Sequence, residues 1–412
     1  MVESPAVDRR GAIDMLDLAP YATPHRIRTI EREAAALRLS WSGGLVSRFS
    51  HLWLRDNCAC PICRHPDTME RRFLFIDALD LERPASYAPL AASLGADGAL
   101  ELLWPSTKLD ARPHRSRFDP AWLRYHAPEE QRRRREAERS ASWDATIAGR
   151  LPRITYDEMM QTDEGLARWL EALLDPGVVL MTGAPARDGE VQRVAERVQP
   201  PRWTNFGAVF DVVSMPKPVN SAYTPIGLEP HSDLPYYRRP GDYQLLFCVV
   251  NEAEGGDSIL VDGFRAAERL RDEDADAFAL LARTSVAFRY QDETTDFRAA
   301  APTIETGRDG EPCAIRINNW TRGTLDLDPE ASDALYRALG CFWRITRDPA
   351  LQLRLKLNPG EMVAFRNDRV LHGRTPFDPA SGRRRLQGCY IDSDQVLSKL
   401  RVIARHRPSP AA

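Results

Sequence analysis

No stretch of this chain approaches the roughly 20 consecutive apolar residues of a membrane-spanning helix, so a membrane protein is not expected. The first twenty residues carry Glu3, Asp8, Arg9, Arg10, Asp14 and Asp17 and lack the apolar core of a secretory leader, which makes the cytoplasm the expected location. An excess of basic charge is also missing. The 56 Lys and Arg against 59 Asp and Glu leave a net −3, giving no reason to expect a nucleic-acid partner. There is no glycine-rich nucleotide fingerprint, no internal repeat, and no low-complexity tract beyond Arg407-Pro408-Ser409-Pro410. Cysteine is sparse. An odd total of 7, with Cys58, Cys60 and Cys63 close together, suits metal ligation in a reducing compartment better than a disulfide framework.

What is present is ordinary globular composition, 43% hydrophobic and 28% charged, over 412 residues, long enough for single cores to split and for two domains to be expected. Alternating apolar text from Leu37 to Asp80, with a glycine pair at Gly43-Gly44 and Phe73-Leu74-Phe75-Ile76 near its end, predicts a β-rich module with a hairpin. The run Ala99-Leu100-Glu101-Leu102-Leu103-Trp104 adds a strand. We therefore expect an N-terminal β-rich domain over 1–125, a charged linker over 126–150, a larger domain over 151–400 and a tail over 401–412. In the larger domain, Leu166, Trp169, Leu170, Leu173 and Leu174 recur at helical spacing, and Val178–Gly183, Tyr243–Val250 and Met362–Phe365 read as strands. Amphipathic helices are expected over 265–284 and 328–347. The fold class is mainly β with flanking helices, a sandwich or barrel in preference to a doubly wound sheet.

The chemistry concentrates at Pro230-His231-Ser232-Asp233-Leu234 and Val370-Leu371-His372-Gly373-Arg374. In an extended segment alternate residues share a face, so His231 and Asp233 can chelate together while Ser232 points away. With His372 they make two imidazoles and a carboxylate, the facial triad of non-haem Fe(II) oxygenases, which leaves metal positions open for a cosubstrate and O2. A His-x-Asp triplet is common by chance, and Arg384 is what strengthens it. Its planar guanidinium can grip the distal carboxylate of 2-oxoglutarate with two parallel hydrogen bonds. Strand alternation puts Arg384, Leu386, Gly388 and Tyr390 on one face and assigns this role to Arg384, with Arg383 and Arg385 as alternatives. Separately, the C-x-C-x-x-C spacing of Cys58, Cys60 and Cys63 suits a structural zinc that needs one further ligand, for which His51, His65, His114 and His126 are candidates.

Together with Trp53-Leu54-Arg55-Asp56-Asn57, Asn205-Phe206-Gly207, Asn220-Ser221-Ala222-Tyr223, Gly255-Gly256-Asp257-Ser258 and Gly388-Cys389-Tyr390, these motifs make most of the chain resemble the γ-butyrobetaine dioxygenases within the taurine-dioxygenase-like Fe(II)/2-oxoglutarate oxygenases. The resemblance implies a double-stranded β-helix (jelly roll) behind a small zinc-binding domain. It implies iron on His231, Asp233 and His372, 2-oxoglutarate on Arg384, and zinc on Cys58, Cys60, Cys63 and His114. It also implies a homodimer, stimulation by ascorbate, and hydroxylation of γ-butyrobetaine to L-carnitine. A quaternary trimethylammonium group has no N–H to donate, so it is held by charge and aromatic faces. The matching positions are Phe206, Phe210, Tyr223 and Tyr390. The resemblance assigns the substrate carboxylate to Asn220 and Asn319, with Asn318 the neighbour if the register shifts. The chain departs from some relatives at Leu234, where they carry an aromatic that Tyr236 or Tyr237 could replace.

Arg322 near the anionic end keeps a trimethylaminoalkylphosphonate, such as 2-trimethylaminoethylphosphonate, as a competing substrate. Two further readings are a zinc hydrolase on the same triad and a non-catalytic metal-binding β-sandwich. Neither accounts for Arg384 and the aromatic set.

Overall fold

The run Val178-Val179-Leu180-Met181-Thr182 forms a strand buried on both faces, and its two faces define the layers of the larger unit. In the computed structural model, which describes residues 21–108, 110–137, 141–214 and 224–406, this strand lies in a six-stranded sheet. The order is Arg153–Thr155, Val178–Thr182, Met362–Arg366, Tyr243–Asn251, Arg384–Ile391, Phe210–Val213. All neighbours are antiparallel except the first pair. A second, four-stranded antiparallel sheet runs Leu228–His231, Val370–Arg374, Ser258–Asp262, Gln352–Leu355.

Because strand side chains alternate, one set from each sheet meets in the middle: Val178, Leu180, Val363, Phe365 and Leu386 pack with Leu260, Leu353 and Val370. The outer set of the six-stranded sheet, including Val179, Met181, Leu245, Phe247 and Met362, is covered by the helices Asp163–Leu174 and Glu190–Glu196. Ile259, Val261 and Leu371 on the outside of the four-stranded sheet pack under Gly263–Glu273, Ala275–Arg283 and Pro329–Thr346. Two facing sheets with helices on both outer faces are consistent with the jelly roll that the resemblance implies.

Across the interior, Asp262 and Arg369, both fully buried, pair at 2.7 and 3.1 Å. Asp262 also caps the following helix through Phe264 N and accepts from Trp143 N.

The chain divides between residues 139 and 140, inside the stretch expected as a linker. That stretch is shared between the two units. The helix Pro128–Ala137 belongs to the first, where Arg124 donates to Glu129 and Glu130 at 2.8 and 3.0 Å, whereas Trp143 and the turn Ala145–Arg150 enter the core of the second. The C-terminal helix Ser393–His406 likewise runs past residue 400 into the stretch expected as a tail from 401.

The first unit holds two three-stranded antiparallel sheets, Ile27–Arg32, Ala36–Trp41, Val46–Ser50 and Ala91–Leu94, Leu100–Trp104, His114–Phe118. The expected hairpin turns at Gly43 and Gly44, both at positive φ, a conformation glycine adopts without steric cost. Two expectations are corrected. Phe75–Ala78 is a helical turn instead of the end of a strand, and its large side chains are half-buried or exposed. The helix expected over 265–284 is two, because Asp274 leaves helical geometry and caps the second through Ala277 N.

Candidate active site

Sheet register brings the triad together. The strand of His231 pairs with that of His372 so that the two residues lie directly opposite one another, ring centroids 4.4 Å apart. The strand ends at His231, and Asp233 follows in the turn, where Leu234 takes a positive φ of 55° and is buried. Ser232 points away and bonds to Ile317 through both its N–H and its hydroxyl, as alternation requires. Asp233 Oδ1 then lies 3.3 Å from His231 Nε2, and Asp233 Oδ2 3.5 Å from His372 Nε2.

The surroundings of the three side chains suit a cation. His231 Nδ1 donates to the Glu229 carbonyl at 2.8 Å, which fixes the ring with its Nε2 directed at the carboxylate. Burial pushes the His372 imidazole down, toward its neutral form. Burial also opposes charge on Asp233, but the facing imidazoles hold its carboxyl well below the usual range. Three donor atoms within 4.8 Å of one another, two imidazole nitrogens and a carboxylate oxygen, fit a divalent metal.

The carboxylate is itself supported. Gln244 Nε2 and Tyr390 Oη donate to Asp233 Oδ2 at 2.8 and 2.7 Å, and the Asp233 backbone is clamped by Asn367, which accepts from its N–H and donates to its carbonyl. Sequence reading missed Gln244 and Asn367. The sign for Gln244 is a polar residue inside the otherwise apolar strand Tyr243–Asn251.

Of the three consecutive arginines, Arg383 pairs with exposed Glu252, and Arg385 with Asp188 and Asp211. Arg384 instead turns inward. It lies over Phe377, donates to the Gly256 carbonyl at 3.2 Å, and has a buried Nε with no partner. Gly256 permits this position, since a Cβ there would fall 2.7 Å from that Nε. Burial pushes the guanidinium's pKa down, as it does for nearby Arg374, which falls to about 10. A desolvated guanidinium with an unpartnered N–H fits a carboxylate.

Next to the triad a cleft is lined by Phe206, Phe210, Tyr236, Tyr290, Trp320 and Tyr390, with His231 and Asp233 in its wall. Phe210 stacks on Tyr390 at 5.4 Å and lies 6.2 Å from Phe206, which meets Tyr290 edge-on at 5.6 Å. Tyr236 stacks on Tyr290 at 5.1 Å, whereas Tyr237 stacks on Phe297. Tyr290 was missed, although Val286, Phe288 and Tyr290 alternate along the strand Ser285–Gln291. Asn220 and Tyr223 lie outside the described residues. Asn319 is exposed and accepts from Arg322 at 3.2 Å, and it is Asn318 that lines the cleft, its side chain bonded to Ser232 O and to the N–H groups of Trp320 and Thr321.

In the first unit, His114 at the start of its strand places Nε2 at 3.2, 3.7 and 3.5 Å from the sulfurs of Cys58, Cys60 and Cys63. The other three candidates lie elsewhere. His51 is buried beneath the helix it begins, His65 accepts from Asp67 N and Thr68 N, and His126 packs on Trp122. Hydrogen bonds from Cys58 and Cys63 push the Cys60 thiol down, and its bonds with Cys60 and Cys63 push His114 up to about 9. Three sulfurs and an imidazole nitrogen this close together fit tetrahedral zinc.

Residues 137–390 match the family described as taurine catabolism dioxygenase TauD, TfdA, and residues 28–107 match the γ-butyrobetaine hydroxylase-like N-terminal family. The γ-butyrobetaine dioxygenase of Pseudomonas sp. strain AK-1 is 38% identical over 90% of this chain and 94% of its own length. The human γ-butyrobetaine dioxygenase is 30% identical over 90% and 95%, and the trimethyllysine dioxygenase of Meyerozyma guilliermondii 28% over 92% and 96%. Agreement of this extent across both units shows that the chain belongs to the TauD/TfdA dioxygenases and, within them, to the γ-butyrobetaine dioxygenase family.

Proposed function

We propose that this protein is an Fe(II)- and 2-oxoglutarate-dependent dioxygenase that hydroxylates γ-butyrobetaine to L-carnitine. The observation that carries the reading is the placement of an aromatic cleft against a two-histidine, one-carboxylate cluster, with His231 and Asp233 in its wall. His231, Asp233 and His372 would hold the iron, and Arg384 the distal carboxylate of 2-oxoglutarate. Bound iron, with 2-oxoglutarate and O2, supplies the oxidant that converts C–H to C–OH.

The protein's own contribution is position. Phe206, Phe210 and Tyr390, in the cleft wall, would surround the trimethylammonium group together with Tyr223, and Asn220 and Asn319 are the residues assigned to the substrate carboxylate, with Asn318, which lines the cleft, in place of exposed Asn319 if the register shifts by one. A short chain anchored at both ends presents its middle carbons to the metal, and orientation of this kind lowers a barrier by several kcal/mol, up to about 7–11. The phosphonate alternative is not favoured, because Arg322 is taken up by Asn319 and lies over Tyr336 and Trp343, outside the cleft lining. In the first unit, Cys58, Cys60, Cys63 and His114 would hold a structural zinc that stabilises a β-rich domain. The resemblance also supports a cytoplasmic homodimer and stimulation by ascorbate.

The test is succinate release from 2-oxoglutarate by Fe(II)-loaded protein in air, with γ-butyrobetaine, with 2-trimethylaminoethylphosphonate, and with neither. Stimulation by γ-butyrobetaine with a hydroxylated product is expected, and His231→Ala should abolish it while leaving the thermal transition in place. Stimulation by the phosphonate alone would reassign the anionic end of the site.

A further inference from the structure

The two oxygens of Asp233 have different surroundings. Each oxygen faces one histidine, Oδ1 lying 3.3 Å from His231 Nε2 and Oδ2 3.5 Å from His372 Nε2, but only Oδ2 also accepts two hydrogen bonds, from Gln244 Nε2 at 2.8 Å and from Tyr390 Oη at 2.7 Å. Both donors are fixed. Gln244 is buried in the middle of the six-stranded sheet, paired with Phe365 on one side and Tyr390 on the other. Its amide must turn the NH2 toward a carboxylate that can only accept. The Tyr390 ring is held between Phe210, stacked at 5.4 Å, and Gly241, where a Cβ would lie 2.7 Å from the ring.

We infer that Gln244 and Tyr390 are positioning residues that hold Asp233 as a one-oxygen metal ligand, and that Tyr390 thereby joins the aromatic substrate site to the metal. With Oδ2 engaged by two donors, only Oδ1 is free to ligate. The second oxygen then does not occupy one of the open positions that a cosubstrate and O2 require. Tyr390 serves both sites with different atoms, its ring in the wall of the cleft and its hydroxyl on the ligand. A cation seated against that ring therefore bears on the side chain that fixes Asp233.

The inference rests on the iron assignment, so its test reads metal binding without cosubstrate or substrate. Co(II) is titrated into the full-length protein freed of iron, with the cysteine cluster first saturated with zinc, and followed by calorimetry and by the visible ligand-field spectrum. Tyr390→Phe keeps the ring and drops only the hydroxyl, and Gln244→Met keeps the length and drops the donor. Each should weaken Co(II) binding about 10- to 100-fold, the usual effect of losing a partner behind a metal ligand. Each should also change the spectrum as the second oxygen enters the coordination sphere. In turnover, Tyr390→Phe should release more succinate than hydroxylated product. Wild-type affinity and an unchanged spectrum in Tyr390→Phe would overturn the inference and leave the iron assignment intact. Failure of the wild-type protein to bind Co(II) at this site would overturn both.

Discussion

Replacing Phe210 with alanine separates the aromatic account of the cleft from a merely hydrophobic one. The ring stacks on Tyr390 and fits against Gly388, where a Cβ would fall 2.5 Å from its Cζ, so it forms a fixed wall of the cleft, half-buried and outside the central core. Its loss therefore removes a binding face with little effect on the fold. A cation over an aromatic face is worth about 0.5–1 kcal/mol when exposed and about 2 when desolvated. At about 1.4 kcal/mol per tenfold, the cationic substrate should bind about 2- to 30-fold more weakly.

Calorimetry on the anaerobic metal complex would measure Kd for γ-butyrobetaine, for 2-oxoglutarate, and for 5,5-dimethylhexanoate, in which carbon replaces the quaternary nitrogen. Affinity for 2-oxoglutarate should not change, and the neutral analogue should lose less than the cation in Phe210→Ala. Phe210→Leu, which restores bulk without a π face, should recover the neutral analogue better than the cation. Equal losses for the cation and its neutral analogue would refute the cation–π argument. A matching loss for 2-oxoglutarate would refute the placement of Phe210 at the substrate end.

Three further outcomes follow from the same geometry. Arg384→Met removes a charge-assisted carboxylate contact of about 1.5–3 kcal/mol and should raise KM for 2-oxoglutarate at least tenfold, with Kd for γ-butyrobetaine nearly unchanged. Asp262→Ala leaves the buried Arg369 guanidinium without its nearest counter-charge, a loss of about 3–5 kcal/mol, so the transition of the larger unit should fall by about 6–20 °C in calorimetry. His114 is raised to about 9 by its cysteine partners, so its contribution to the metal-free fold is fully present below pH 6.5 and lost as pH rises toward 9. Over that window the metal-free N-terminal unit should weaken while zinc affinity rises. At pH 7 zinc binding should release protons, measurable as a dependence of binding enthalpy on buffer.

The sequence carried much of this site because the signals were local or periodic. The i, i+2 spacing of His231 and Asp233 survives even though the strand stops between them, since Ser232 still turns away to Ile317. Parity favoured Arg384 while leaving Arg383 and Arg385 as alternatives, and these two have acidic partners. The parts that escaped depend on distant contacts. Spacing could not choose a fourth cysteine-cluster partner, because His114 arrives from a strand more than fifty residues further along the chain. Tyr290 reaches the cleft from a hairpin with no motif of its own, and Gln244 takes its meaning only from the carboxylate it faces. The segment at 73–76 looked like a strand by composition, but without a paired neighbour apolar alternation does not make one.

The most direct test of the central assignment is turnover of γ-butyrobetaine under 18O2, with both products read by mass spectrometry. An oxygenase of the proposed kind should place one 18O atom in the carnitine hydroxyl and one in succinate, in equal molar amounts. Carnitine formed with its hydroxyl oxygen from water, or formed without 2-oxoglutarate, would contradict the account.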